Sequence, residues 1–179
     1  MRMKSLIISV VVLISCSALL KKDPGSVAGH IMVGLLLHAR RDISGAIEHY
    51  EKAVALDPRT AAAAANNLAW LYAESGENLE RALELAQTAR SHLPTDAEPL
   101  DTLGWVYLKK GMMSQAQTFI RQAIDLSPNN PLYHYHLGVL YAEKGDDASA
   151  RTSLQRALEL QPGEQISREA KRILSTLIY

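Results

Sequence analysis

The chain has 179 residues, of which 47% are hydrophobic, with 19 basic and 19 acidic side chains and a single cysteine. With no net charge and no stripe rich in Lys or Arg, it offers nucleic acid none of the phosphate neutralisation on which such binding largely rests. One cysteine excludes a disulfide within the domain and a cysteine-based zinc site. The six histidines and ten glycines form no HExxH, no Gly-rich phosphate loop and no His-Asp-Ser spacing, so neither cofactor, metal site nor enzymatic activity is expected.

The first twenty residues differ from the rest. Arg2 and Lys4 precede an apolar run from Leu6 to Leu20. At fifteen residues the run is short of the roughly 20 that span a bilayer. A basic start and a short apolar stretch describe a secretory signal, so residues 1–20 are read as a signal peptide or membrane anchor. Leu13-Ile14-Ser15-Cys16 resembles the bacterial lipobox, and that resemblance implies lipidation of Cys16 as the mature N-terminus. The other reading is a chance cysteine in an uncleaved anchor. Lys21 and Lys22 leave both ends of the run similarly basic, so charge does not set its orientation. Either reading holds the protein on a membrane, facing the periplasm or the exterior.

From residue 27 onward the chain repeats. Ala53, Ala89, Ala123 and Ala157 are each followed five residues later by a proline, Pro58, Pro94, Pro128 and Pro162, in steps of 36, 34 and 34 residues. In phase with them run the small residues Gly34, Ala69, Gly104 and Gly138, the bulky Leu37, Tyr72, Tyr107 and Tyr141, and a second alanine series, Ala46, Ala82, Ala116 and Ala150. Apolar residues at i, i+3, i+4 and i+7 mark helices, and each unit is interrupted once by a turn carrying Gly or Asp. Four units of helix, turn and helix follow, over 27–60, 61–96, 97–130 and 131–164. The small residues let paired helices approach closely, and the proline ends the second helix because it cannot donate the next backbone bond. The second unit has one extra residue before its first helix and one in its turn, near Gly76 to Leu79. Residues 165–179 form a last helix with Ile166, Ala170, Ile173, Leu174 and Leu177 on one side. It reads as a cap on the open end of the stack, the alternative being a helix that binds a partner.

Leu103-Gly104-x-x-Tyr107, Ala116, Ile120, Ala123 and Pro128 resemble the tetratricopeptide repeat. The resemblance implies an all-α, right-handed α-solenoid of four helix-turn-helix repeats plus a C-terminal capping helix, with the first helices lining a concave face. The groove positions carried over are Ile31, Leu35 and His38; Asn66, Asn67, Trp70 and Ala73; Asp101, Trp105 and Leu108; and Tyr135, Val139 and Ala142. Leu35, Trp70, Trp105 and Val139 would form an apolar row along the groove with two aromatic anchors, or else the two tryptophans pack as core. His30 and His134, at one repeat position, are read as packing residues. Some family members hold a C-terminal carboxylate with a clamp of Lys, Asn, Asn, Lys and Arg. The matching positions here are Ile31, Leu35, Asn67, Glu98 and Thr102, and only Asn67 agrees. An apolar peptide or amphipathic helix of a protein partner is therefore the expected ligand. The function expected is a membrane-tethered adaptor in a bacterial envelope assembly of pilus, secretion or exopolysaccharide type. The alternative is a self-associating scaffold with no peptide ligand.

Overall fold

The structure, a computed structural model, describes residues 20–177. Cys16 and nearly all of the N-terminal apolar run lie outside the described residues. Among the described residues from Val27 on, nine helices follow in chain order: α1 (Val27–Ala39), α2 (Ile43–Leu56), α3 (Ala62–Ser75), α4 (Leu79–His92), α5 (Ala97–Lys109), α6 (Met113–Leu126), α7 (Pro131–Glu143), α8 (Asp147–Glu159) and α9 (Glu164–Thr176). There is no strand among the described residues. Helices α1 to α8 pack as four antiparallel pairs, each second helix leans on the first helix of the next pair, and α9 closes the end against α8 and α7. The fold is thus the all-α solenoid of four repeats and a capping helix.

Local chemistry starts and stops these helices. The carboxylates of Asp42 and Asp146 accept from the backbone N–H of Gly45 and Ser149, and Asn130 accepts from Leu132 N–H just ahead of Pro131 at the first helical position. The mid-repeat turns of repeats 2, 3 and 4 use glycine in the left-handed region, Gly76, Gly111 and Gly145, with φ of 71°, 74° and 74°. The extra residue in the second turn is absorbed there by Asn78, also left-handed at φ 53°.

The core is a band of small and medium side chains running the length of the stack. Ala46, Ala53, Ala82, Ala89, Ala116, Ala123, Ala150 and Ala157 are fully buried, so both alanine series face inward. A methyl added at Gly104 would sit 2.6 Å from Ile120 Cγ1 and 3.0 Å from the Ile120 backbone nitrogen, and one at Gly138 would sit 2.6 Å from Leu154 Cγ. The two helices of a pair therefore cross at the small residue. The tyrosine series ties neighbouring repeats together. Tyr72 donates to Glu51 Oε1 of the preceding repeat at 3.1 Å, the same carboxylate takes Arg81 at 2.9 Å, and Tyr141 accepts from Arg121 of the preceding repeat at 2.6 Å. Tyr107 departs from this and stacks on Phe119 of its own repeat, with centroids 5.5 Å apart.

Candidate functional site: a groove along the first helices

Among the described residues the first helices α3, α5 and α7 touch one another in sequence, whereas no two second helices pack on one another to that extent. Contacts on one side only make the first helices the inner row of the superhelix. Side chains at equal repeat positions then line up along that row. One column is Ile31, Asn66, Asp101 and Tyr135, the next Met32, Asn67, Thr102 and His136, and a third Leu35, Trp70, Trp105 and Val139.

Exposure along the third column is uneven. Leu35 is 48% exposed, with Met32 beside it at 49%. Trp70 and Val139 are half-buried, and Trp105 is only 6% exposed. The expectation of two matching aromatic anchors is corrected here: Trp70 stands at the surface of the groove, while Trp105 is closed into its floor. The reason is local. The indole face of Trp105 stacks on His136 at 4.1 Å, its Nε1 donates to Glu74 Oε1 at 2.7 Å, and Lys109 Nζ lies 4.8 Å over the ring. Ala73, Leu108 and Asp101 are likewise buried, and Ile31, Asn67, Tyr135 and Ala142 half-buried.

His136 also faces Asp101, its Nδ1 lying 2.9 Å from both carboxylate oxygens. Both residues are at most 3% exposed. An imidazole that donates from Nδ1 to a carboxylate has its tautomer set by that bond. Glu74, Trp105, His136 and Asp101 thus form one chain of contacts across repeats 2, 3 and 4. His136 was not among the positions singled out from the sequence. Its column, shared with Asn67 and Thr102, is the signal that leads to it.

Beside this floor opens a cleft of about 250 Å³ walled by His38, Asn66, Asn67, Trp70, Glu98, Asp101, Thr102 and Leu132. A second cleft, of about 230 Å³, adjoins it and shares Asn66, Asn67 and Glu98. The structure so brings together five of the expected groove residues, from three repeats. His38 tilts against Trp70 with ring centroids 6.1 Å apart. Asn66 is 4% exposed and its buried Oδ1 has no hydrogen-bond partner. The surroundings are acidic. Burial, and then the negative charges of Asp101 and Glu98, push the Tyr133 phenol up to about 12, and the Tyr135 phenol is raised by burial and then by Glu169 and Glu74. No lysine or arginine lines either cleft among the described residues. His30 and His134 lie off the groove chemistry: His30 contacts His49 and Pro24 O, and His134 contacts Pro128 O at 2.8 Å.

The comparisons with known proteins agree with the fold. No curated protein matches the chain. Among solved structures, a thermophilic tetratricopeptide protein of Thermus thermophilus is similar with a TM-score of 0.74 at 21% identity, over 97% of this chain and 94% of that one. PilW, a widely conserved type IV pilus biogenesis factor, is similar with a TM-score of 0.73 at 16% identity, over 90% of this chain and 76% of its own. YrrB, a tetratricopeptide protein with an unusual peptide-binding site, is similar with a TM-score of 0.64 at 20% identity, over 89% of this chain and 82% of its own. At such identities the likeness is one of fold. The family model for the tetratricopeptide repeat matches residues 17–61 and 102–164, and it passes over most of the second repeat, the one with two insertions. With more than half of its residues matched by that model, the chain belongs to the tetratricopeptide repeat family.

Proposed function

We propose that this protein is a membrane-tethered adaptor that holds a peptide or helix of a protein partner in the groove along its first helices. The setting we infer is a bacterial envelope assembly of pilus, secretion or exopolysaccharide type, with the N-terminal segment and Cys16 as the tether. The observation that carries the reading is the groove itself. An exposed apolar entrance, Leu35 and Met32, leads to the half-buried Trp70 and a cleft beside it. Tryptophan at the edge of a concave pocket is a frequent centre of binding energy. Repeats of this family are in general scaffolds for protein interaction. PilW, a pilus biogenesis factor, and YrrB, with its peptide-binding site, have the same fold and lend the reading its context.

The experiment is a gentle membrane solubilisation and capture of the tagged full-length protein beside a Trp70→Ala/Leu35→Glu variant. Trp105 is left alone, because emptying its buried site would cost about 3–5 kcal/mol of stability. A partner retained by the wild type and lost by a variant with unchanged helicity supports the adaptor. The same partner in both moves the binding site off this groove, and self alone in both favours the scaffold. In the same preparation the N-terminal peptide should have the mass of an acylated Cys16. An unmodified Cys16 within an intact apolar run would mean that the run itself is the anchor.

A further inference from the structure

The cleft beside Trp70 has a chemistry of its own. The carboxylates in its lining are Glu98 and Asp101, with no lysine or arginine among the described residues. Asn66 Oδ1 is a carbonyl oxygen, buried and without a partner, on a side chain that lines both adjoining clefts. Glu98 is exposed at the rim. Asp101 is buried below it, its carboxylate facing His136 Nδ1. Trp70 supplies a half-buried indole wall, with the His38 ring tilted against it. The neighbouring Tyr133 phenol is pushed up to about 12 by its burial and then by Asp101 and Glu98, which is the imprint of a negative field at this end of the groove.

We propose that this cleft is a subsite for a cationic side chain, a lysine or arginine carried by the partner segment that lies in the groove. The inference rests on the adaptor reading above and names the chemistry of its partner. Lysine and arginine carry donors and no acceptor, the complement of a lining whose carboxylates are Glu98 at the rim and Asp101 below it. An indole face attracts a cation placed over it. The size is right as well. The cleft of about 250 Å³ is below the roughly 300–1,000 Å³ of small-molecule pockets and suits one long side chain. An acidic side chain or chain-terminal carboxylate would meet Glu98 where the family's clamp has lysine.

The test pans an array of random dodecapeptides against the full-length protein in detergent micelles. Peptides selected by the wild type should be enriched in lysine or arginine at one position, and their affinity should fall with rising ionic strength. Glu98→Gln should weaken them by roughly three- to tenfold, the loss of one charge-assisted contact at a solvated rim. Glu98→Lys should remove the basic preference. Glu98 is exposed, so neither variant threatens the fold, and an unchanged melting curve checks this. Basic peptides whose affinity is indifferent to both Glu98 variants would overturn the subsite. Apolar or acidic peptides that depend on Trp70 would overturn it too, while leaving the adaptor reading intact. If no peptide binds, both fall.

Discussion

Three of the four mid-repeat turns close on a glycine at positive φ, and the fourth closes on Arg41 at φ 64°. An L-residue in that region costs roughly 1–2 kcal/mol against right-handed backbone, and Arg41 is exposed with no contact that needs its side chain. Arg41→Gly is therefore expected to raise stability by about 1 kcal/mol, read as a higher denaturant midpoint at unchanged slope; no rise would mean that the arginine is held by contacts in the folded state. The histidine pair behind repeat 1 makes a second residue-scale case. His30 Nδ1 and His49 Nδ1 are 3.0 Å apart, so one donates and the other accepts, and both cannot be protonated there. Burial, then the nearby His30 and Lys52, hold His49 below its ordinary 6.5. The unfolded chain takes up a proton below that pH that the folded protein refuses, so stability present above it is lost as the pH falls. The melting temperature should drop between about pH 7 and 5, and should drop less in His49→Gln; an equal drop in both would place the cause elsewhere. This pairing was not legible beforehand. Nineteen residues separate the two histidines, and only the close crossing of α1 and α2 joins them.

The close crossing belongs to the scale of the element, and here the sequence was more informative. The small-residue column marks where the helices of a pair meet, and the structure adds what fills the other side. Gly34, Gly104 and Gly138 face Tyr50, Ile120 and Leu154. In the second repeat the column holds Ala69, and the position equivalent to those bulky residues is Ala86, both fully buried. A methyl gained on one helix is matched by a smaller side chain on the other. Gly104→Ala alone should therefore destabilise the protein by about 1–3 kcal/mol through overpacking against Ile120 and the backbone of α6. Combined with Ile120→Ala, the total loss should be smaller than the sum of the two single losses, a coupling seen as a non-additive double-mutant cycle. Strict additivity of the two losses would show that the pair does not share one site.

At the scale of the whole molecule, repeat phase predicts which residues share a column but not how deep each lies. Depth depends on how far each repeat is rotated from the last. Leu35, in the first repeat, is open, Trp70 is partly covered, and Trp105 is enclosed by Glu74 and His136 from both neighbours. The Asp101–His136 pair, thirty-five residues apart, becomes visible only when the columns are stacked in space. What the stack produces is an inner surface with an apolar entrance at one end and an acidic cleft beside Trp70. On the adaptor reading a second polypeptide lies there. The direct measurement is site-specific photocrosslinking in intact cells from positions 35 and 70 in the groove, against the exposed Gln122 on the second helix of repeat 3. Crosslinks to one other protein from 35 and 70, and none from 122, are the predicted result. Crosslinks from 122 alone, or from 35 and 70 only to further copies of the same chain, would contradict it.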